Sequence, residues 1–249
     1  MNRRQMKLNA AVKALEYVED GMIVGLGSGS TAEIFLEKLA EKVRSGLNIA
    51  VIPSSLGTEI IARQHGLKIV TFQEYPEVDL AVDGADIVDE GLNLIKGGGA
   101  AMTREKVVDY AAKKFIVIVD KTKLGNNLYD FPVPVEVLPF ALGYVLKKLE
   151  KYGAPSVRMS GKGKYGPVIT DNGNLVVDLE VKIQADPLKL EREINTIPGV
   201  VENGIFPAEY VDLVIVGRED GADVLSRNKH IKERFDVRGK FYGLSLIHI

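Results

Sequence analysis

The 249-residue chain has no cysteine and no tryptophan, and it has three histidines. The lack of cysteine excludes disulfides, thiolate nucleophiles and cysteine-ligated metal centres. The histidines, His65, His230 and His248, are too far apart in the sequence to form a ligand pair such as H-E-x-x-H. If the protein is an enzyme working near neutral pH, we therefore expect carboxylates or lysines to carry its protons.

The charge is nearly balanced, with 32 Lys and Arg against 34 Asp and Glu, a formal net charge of -2. This balance lacks the basic excess of a nucleic-acid or anionic-membrane binder. The N-terminal segment has no apolar core of a signal peptide, and no run reaches the ~18 apolar residues of a membrane span. We expect a cytoplasmic protein with neither a nucleic-acid nor a membrane partner.

The first 130 residues alternate short apolar runs with amphipathic helical patterns. This alternation predicts an α/β fold, with a parallel sheet and helices on both faces. The predicted strands are Met22–Val24, Ile49–Ile52, Lys68–Thr71, Leu80–Val82 and Phe115–Val119. The predicted helices are an opening helix through Val18, one through Ile34–Val43 that Gly46 closes, Thr58–His65 and Met102–Ala112.

The pattern changes at residues 131–206, which we interpret as a smaller α+β domain with an antiparallel sheet. Two prolines in Phe131–Val135 argue against a central strand there. A helix is expected at Leu138–Lys151, a hairpin around Asp171–Asn174, a helix at Leu188–Asn195 and a strand at Val200–Phe206. Val211–Val216 is apolar enough to return to the first sheet. Residues 218–249 are expected to form a solvated charged tail or a surface helix.

The first of three glycine-containing loops is Gly25–Thr31, after a predicted strand. Its glycines, its hydroxyls and the following helix N-terminus suit a small phosphate monoester. The segment is neither a dinucleotide fingerprint nor a P-loop, because the third glycine and the Gly-Lys-Ser/Thr sequence are missing. A tight turn with Thr31 as helix cap is the alternative.

The second loop is Asp83-Gly84-Ala85-Asp86. Two carboxylates three residues apart can face one cavity, and their repulsion separates their pKa values, so that one can donate a proton while the other accepts one. A magnesium site formed by Asp83, Asp86 and Asp89 and a plain Asp-Gly turn remain open alternatives.

The third loop runs from Lys96 through Gly97-Gly98-Gly99 to a helix that contains Glu105. Lys96 can stabilise a developing oxyanion, and Glu105 is a candidate base. The place of Glu105 in an early helical turn also fits a purely structural role, and the positive end of the helix would lower the pKa of Glu105. A base there needs desolvation or a nearby carboxylate to counter this effect. All three loops are expected at the carboxyl edge of the parallel sheet.

Together these loops fit acid/base chemistry on a sugar phosphate, and the chain resembles the type A ribose-5-phosphate isomerase family over about residues 5–217. The segments that carry this resemblance are Gly25–Thr31, Ser54-Ser55, Asp83–Asp86, Lys96–Lys106, Phe131–Val137, Thr170–Asn174 and Ile197–Val201.

The resemblance implies an aldose–ketose isomerase that interconverts ribose 5-phosphate and ribulose 5-phosphate through an enediolate, without metal or organic cofactor. It implies that Glu105 moves the proton between C2 and C1. Asp83 and Asp86 would assist ring opening and hydroxyl proton transfer, and Lys96 would stabilise the anionic intermediate. The expected substrate-binding residues are Lys7, Ser28, Gly29, Ser30, Thr31, Gly84, Ala85, Gly97, Gly98, Gly99 and Lys123.

The resemblance also implies a Rossmann-like domain, a smaller ferredoxin-like domain and a homodimer or homotetramer. Two other classes of function remain open at this stage. One is a sugar-phosphate deaminase or CoA-transferase-like enzyme of related fold, although a deaminase would be expected to use a histidine, and none lies near these loops. The other is a non-catalytic sugar-phosphate sensor, which would usually carry a DNA-binding segment.

Overall fold

The computed structural model describes residues 2–161, 163–227, 229–236 and 241–242, with the backbone alone for the last two ranges. Within these ranges the α-helices are α1 (Arg3–Ala14), α2 (Ser30–Arg44), α3 (Leu56–Gln64), α4 (Met102–Tyr110), α5 (Leu142–Leu149) and α6 (Pro187–Asn195). The first strands are β1 (Ile23–Leu26), β2 (Ala50–Pro53), β3 (Leu80–Asp83), β4 (Ile87–Val88), β5 (Leu94–Ile95), β6 (Phe115–Asp120), β7 (Val133–Val137) and β8 (Gly153–Val157). The later strands are β9 (Leu175–Val181), β10 (Val200–Asn203), β11 (Ile205–Phe206), β12 (Leu213–Arg218), β13 (Gly221–Ser226), β14 (Lys229–Asp236) and β15 (Phe241–Tyr242).

The largest sheet has the strand order β15-β14-β13-β12-β6-β3-β1-β2. Its five strands from β12 to β2 are parallel. This arrangement confirms the predicted α/β fold and the return of the segment around residues 211–216 to the first sheet. No helix in the described part of the chain is long and apolar enough to cross a membrane.

Helices cover both faces of this sheet, as predicted. Alternate side chains of β6 point to opposite faces: Ile116 and Ile118 pack with α1 and α2, whereas Phe115, Val117 and Val119 pack in a second cluster that includes Val108 of α4. A strand buried on both faces is continuously apolar, which explains why β6 has no polar alternation. Burial on both sides fixes the carboxyl edge of the sheet as a rigid base for the loops.

A smaller antiparallel sheet has the strand order β10-β7-β9-β8, and α5 and α6 cover it. Its elements follow the chain order β7-α5-β8-β9-α6-β10, which is the ferredoxin-like topology expected from the resemblance. The turn at Asp171–Asn174 is present, with Gly173 at φ 80°, but Ile169 forms only an isolated bridge to Leu175. The domain boundaries at residues 130 and 206 stay predictions.

The expectation that Phe131–Val135 contributes no central strand is wrong, since β7 lies between β10 and β9. The Pro134 carbonyl accepts a hydrogen bond from Gly204 N at 2.7 Å. A Cβ atom at Gly204 would lie 2.8 Å from Pro134 Cδ, so the ring fills the space beside this glycine. The N–H and C=O groups of one residue point to the same side of a strand. Pro134 has no N–H, and its nitrogen faces Gly204, which lies just beyond the end of β10. The pairing with β9 needs no donor from this residue.

A third sheet, β11-β5-β4, corrects two further predictions. The segment before Lys96 is β5, which runs antiparallel to β4 and is not part of the parallel sheet. The predicted strand Val200–Phe206 is divided between β10 of the ferredoxin-like sheet and β11, which pairs with β5. Apolar runs this short do not specify which sheet they join. In addition, predicted strand Lys68–Thr71 contributes only a bridge from Ile69 to Val51.

The predicted solvated tail or surface helix after residue 217 is also wrong for its first part. Strand β13 pairs antiparallel with β12, and β14 and β15 extend the same sheet. Ala222 and Val224 are buried in the core beside α1. Apolar residues at alternate positions of β13 therefore face this core, and the many charged residues of the surrounding sequence made this alternation difficult to recognise. The terminal residues 243–249 lie outside the described residues.

Gly217 of β12 provides a test of how closely α1 is packed on the sheet. A Cβ atom at Gly217 would lie 1.8 Å from the Met6 carbonyl oxygen of α1. We expect Gly217→Ala to lower the free energy of unfolding by about 1–3 kcal/mol, because the helix must move away from β12. The matched control is Gly143→Ala in α5, where no atom lies within 4 Å of the added carbon. Its helix propensity should stabilise the protein by up to about 1 kcal/mol. Urea unfolding measures both, and equal midpoints would contradict this packing.

Candidate active site

A cavity of about 180 Å³ opens at the carboxyl edge of the parallel sheet, beyond β1 and β3. Its walls are formed by three loops, the start of α4, one residue of α1 and one residue after β6. The lining residues are Lys7, Ser28, Gly29, Ser30, Thr31, Gly84, Ala85, Asp86, Lys96, Gly97, Gly98, Gly99, Glu105 and Lys123. Every one of them was expected from the sequence to contact substrate or to act in catalysis. Asp83 is the one expected residue that does not line the cavity, because it is fully buried beneath it.

The first loop leaves β1 directly over Asp83 and leads into α2. A Cβ atom at Gly27 would lie 1.9 Å from Asp83 Oδ1, so only glycine fits there. The Ser28 N–H donates to the same Oδ1 atom at 3.0 Å. Gly29, at φ 99°, is the residue that precedes α2. The first two loops thus support each other through the Asp83 carboxylate.

Ser28 is held in place by a cluster of hydroxyl groups that was not included among the predicted site residues. Its Oγ atom lies 3.0 Å from Ser54 Oγ, 2.8 Å from Ser55 Oγ and 3.1 Å from Thr58 Oγ1. Thr58 Oγ1 also donates to the Gly27 carbonyl at 3.0 Å. The cluster connects the first loop to the start of α3. The Ser54-Ser55 pair after β2 was the sequence signal for it.

One end of the cavity carries positive charge and hydrogen-bond donors. Lys7 of α1 donates to Ser30 Oγ at 2.7 Å, which brings its ammonium group to the N-terminus of α2. Thr31 belongs to the first turn of the same helix, and Lys123 lines the cavity from the segment after β6. A helix N-terminus with two lysines and two hydroxyls is suited to an anion such as a phosphate monoester.

The other end of the cavity is built around the buried ammonium group of Lys96, which is 2% exposed. Its Nζ atom lies 2.6 Å from Asp83 Oδ2 and donates to the Gly84 carbonyl at 2.6 Å. It is also 3.7 Å from Glu105 Oε2. Burial alone would lower the pKa of Lys96, but attraction to the surrounding carboxylates raises it. Lys96 therefore keeps its charge beside the cavity.

Glu105 projects from the first turn of α4 and is 5% exposed. Burial raises its pKa to about 8, although the charge of Lys96 opposes this shift. The charges of Asp83 and Asp86 contribute to the same increase. The sequence left open whether the helix end lowers the pKa of Glu105 or desolvation raises it. Desolvation has the larger effect. A carboxyl group with this pKa can both accept and release a proton near neutral pH.

Asp86 connects the second loop to the glycine loop. Its Oδ2 atom accepts a hydrogen bond from Gly98 N at 2.7 Å. A Cβ atom at Gly98 would lie 2.7 Å from Asp86 Oδ1, so the glycine permits this close approach. Unlike Asp83, Asp86 is partly exposed to the cavity. It can therefore reach a bound ligand directly.

Asp109 is a buried carboxyl group of this cluster that the sequence analysis missed. It is 1% exposed, and its Oδ2 atom lies 3.9 Å from Lys96 Nζ. Burial and the charge of Asp83 raise its pKa well above the ordinary value. Three buried carboxyls around one ammonium group repel one another when ionised, and this repulsion favours the protonated form of Asp109. Its spacing of four residues from Glu105 puts both on one helix face, which was the available signal.

The start of α4 is fixed from the ferredoxin-like sheet by Glu136, a fully buried residue of β7. Thr103 Oγ1 donates to Glu136 Oε2. Oε1 accepts from Thr170 Oγ1 at 2.8 Å and from Asn174 Nδ2 at 2.7 Å. The hydrogen bonds tie the helix that carries Glu105 to β7 and to the turn before β9. Three segments of the family resemblance, Lys96–Lys106, Phe131–Val137 and Thr170–Asn174, thus meet at one carboxylate.

The magnesium alternative does not fit these contacts. Asp83 is paired with Lys96, Asp86 accepts from the Gly98 amide, and both Asp89 oxygens accept hydrogen bonds from Asn93. Among the described residues, no group of three His, Asp or Glu side chains is arranged to hold a metal ion. The arrangement instead combines an anion-binding end with a buried, charged proton-transfer end.

The sequence model of the protein family ribose 5-phosphate isomerase A (phosphoriboisomerase A) matches residues 50–221 of the chain. The chain belongs to the ribose 5-phosphate isomerase A family. It is 54% identical to ribose-5-phosphate isomerase A of Archaeoglobus fulgidus, over 88% of this chain and 98% of the relative. It is 51% identical to that of Methanococcus aeolicus, over 89% of this chain and 94% of the relative.

Solved structures of this family have the same fold. Ribose 5-phosphate isomerase A of Methanocaldococcus jannaschii superposes with a TM-score of 0.86 at 46% identity, covering 90% of this chain and 100% of that one. A D-ribose-5-phosphate isomerase in complex with phospho-erythronic acid superposes with a TM-score of 0.88 at 45% identity, covering 91% and 100%. The fold of this chain is therefore the same as that of these two relatives over about nine tenths of its length.

Proposed function

We propose that this protein interconverts D-ribose 5-phosphate and D-ribulose 5-phosphate through an enediolate. The observation that carries the proposal is the buried Glu105–Lys96 pair at one end of a cavity whose other end suits a phosphate group. The family membership supports the same reaction, and a relative of this fold binds phospho-erythronic acid. Together they favour the isomerase over the deaminase, CoA-transferase and sensor alternatives.

In this proposal the phosphate group binds at the N-terminus of α2. Lys7 and Lys123 supply charge, and Gly29, Ser30 and Thr31 supply hydroxyl and amide donors, while Ser28 lines the site from the loop before them. The sugar then extends along the second and third loops, past Gly84 and Ala85 and past Gly97–Gly99, towards Glu105. Fixing the phosphate removes most of the freedom of the sugar chain, so that its C1 and C2 atoms are held at the carboxylate.

Glu105 acts as the base in the proposed reaction. It takes the proton from C2 of the open-chain aldose, the C–H electron pair forms the C1=C2 double bond, and the carbonyl electrons move to O1. The ammonium group of Lys96 stabilises this oxyanion. Glu105 then returns the proton to C1, while the hydroxyl proton passes from O2 to O1 with Asp86 as its carrier. Atoms and electrons balance without a cofactor.

Asp83 takes a different part from the one that the resemblance implies. Because it is fully buried below the cavity and 2.6 Å from Lys96, we assign it to holding the ammonium group and not to proton transfer with the sugar. Asp86, which faces the cavity, is the better candidate for ring opening and hydroxyl proton transfer.

We further propose a cytoplasmic homodimer or homotetramer. Support for assembly comes from large apolar side chains exposed on the ferredoxin-like unit, among them Phe140, which is fully exposed, and Tyr144, which is half exposed. Sedimentation of the purified protein measures this assembly.

Glu105→Gln tests the proposed base. The variant keeps the shape of the side chain but removes the proton acceptor, so kcat for ribose 5-phosphate should fall by about 10²–10⁴-fold with the fold intact. The matched control is Glu77→Gln, because Glu77 is exposed and lies before β3, at the opposite edge of the sheet. A coupled assay for ketose formation measures both. A folded Glu105→Gln variant with wild-type turnover would dismiss Glu105 as the base.

Thr31→Val tests the phosphate end of the cavity. Loss of one hydrogen bond to a charged group should cost about 1–3 kcal/mol in kcat/KM for ribose 5-phosphate. The backbone donors of α2 remain, so the loss is limited. Free ribose serves as the control substrate: it should react very poorly, and the substitution should not change its rate. If the variant left kcat/KM unchanged and ribose reacted as well as its phosphate, Thr31 would have no phosphate role.

A further inference from the structure

Arg158, directly after β8 in the ferredoxin-like sheet, forms a two-pronged ion pair with Asp178 of β9. Its Nε atom donates to Asp178 Oδ2 at 2.8 Å, and one terminal nitrogen is paired with Oδ1. The two side chains are 16% and 22% exposed. A bidentate pair of this kind fixes the plane of the guanidinium group as well as its position. Asp178 therefore determines where the remaining terminal nitrogen of Arg158 points.

That remaining nitrogen reaches the glycine loop of the active site. It donates to the Gly97 carbonyl at 2.9 Å and to the Gly98 carbonyl at 3.1 Å. Gly97 and Gly98 line the same cavity as Lys96 and Glu105. The ferredoxin-like sheet thus holds the two loop carbonyls from outside, while Asp86 holds the Gly98 amide from the other side.

The backbone of this loop includes residues with positive φ angles, a conformation that needs stabilising contacts when the residue is not glycine. Gly97 has φ 98°, and Ala100, which has a side chain, has φ 63°. A residue other than glycine in the left-handed region is disfavoured, so the loop needs contacts that offset this cost. Within the loop, the Ala100 amide donates to the Gly97 carbonyl at 2.9 Å. Arg158 supplies the contacts from outside it.

The direction of the carbonyls decides which polar groups the loop offers to a ligand. With the carbonyls of Gly97 and Gly98 bonded to Arg158, they are unavailable to the sugar. Among the described residues, the Gly99 amide has no hydrogen-bond partner, and Gly99 lines the cavity. A donor at this place suits the oxygen atoms of a sugar in which negative charge develops.

We propose that Arg158, oriented by Asp178, is a positioning residue of the isomerisation: it fixes the glycine loop so that the Gly99 amide, and not the carbonyls of Gly97 and Gly98, is available to the reacting sugar. This inference rests on the proposed function. Arg158 acts through the loop, from a sheet other than the one that carries Asp83. Its loss should impair the reaction more than the binding of the phosphate group.

The test compares Arg158→Met with Arg192→Met. Arg192 is also an arginine of the ferredoxin-like unit paired with a carboxylate, but it is 63% exposed and its partner is Glu209, whereas Arg158 also binds the carbonyls of the glycine loop. For Arg158→Met we expect kcat for ribose 5-phosphate to fall at least about tenfold, a change equivalent to about 1.4 kcal/mol. The constant for competitive inhibition by inorganic phosphate should stay within twofold, and Arg192→Met should keep wild-type values.

Chemical rescue distinguishes positioning from a general loss of stability. In Arg158→Ala, added guanidinium at low millimolar concentration should bind between Asp178 and the loop and restore part of kcat, and it should not do so in Arg158→Ala/Asp178→Ala. If Arg158→Met or Arg158→Ala fails to fold, Arg158→Lys serves instead. Its ammonium group cannot form the planar pair with Asp178 while contacting both carbonyls, so a several-fold loss of kcat is expected.

Wild-type kcat in folded Arg158→Met or Arg158→Lys would overturn the inference. So would an equal loss of kcat and of phosphate binding, or the absence of guanidinium rescue in folded Arg158→Ala. These outcomes presuppose an active wild-type enzyme. If the wild-type protein does not isomerise ribose 5-phosphate, the proposed function itself fails, and the two failures are thus distinguishable.

Discussion

The buried charge of Lys96 is the constraint on which the site depends. An ammonium group that is 2% exposed is tolerated only when opposite charges and hydrogen-bond acceptors surround it. Asp83 at the end of β3 supplies the nearest opposite charge, and the Gly84 carbonyl accepts a hydrogen bond from the ammonium group. Two carboxyls of α4, those of Glu105 and Asp109, lie 3.7 and 3.9 Å from the same nitrogen. The parallel sheet, the chain segment after β5 and the helix α4 are therefore brought together around one atom. Removal of the Asp83 carboxylate would leave the ammonium group without its nearest opposite charge.

The same cluster explains how a protein without cysteine, and with no histidine among the described residues that line the cavity, can perform proton transfer near neutral pH. An exposed glutamate is fully ionised there and is a weak base. Burial beside Asp83 and Asp86 raises the pKa of Glu105 to about 8, and Lys96 keeps the shift from becoming larger. Burial and the charge of Asp83 also raise the pKa of Asp109, which favours its uncharged form. The fold thus retains costly buried charges where the chemistry requires them.

Much of the site could be predicted because it follows from the topology of parallel strands. Loops that follow β1 and β3 must meet at one edge, so Ser28–Thr31 and Asp83–Asp86 were expected to face each other. The position of Lys96 did not follow in this way, since β5 belongs to an antiparallel sheet of two-residue strands.

Other features depend on contacts between residues distant in sequence, which a local pattern does not contain. Pro134 is accepted in a central strand because Gly204 leaves room for its ring. Arg158 can bind the carbonyls of the glycine loop because the ferredoxin-like sheet packs against the sheet that contains β5. Asp109 could have been found, since its spacing from Glu105 is visible in the sequence. The charged segment after Gly217 hid the alternation of β13, whose apolar positions pack against α1.

The most direct measurement of the central claim is a carboxyl-carbon NMR titration of the protein labelled with ¹³C at the glutamate side-chain carboxyl. The signal of Glu105 is identified as the one missing from the Glu105→Gln spectrum. The account predicts that this signal titrates with a pKa near 8, well above the ordinary range of a glutamate side chain in water. A Glu105 signal that titrates together with the exposed glutamates would contradict the account, because the buried cluster would then not prepare Glu105 as a base.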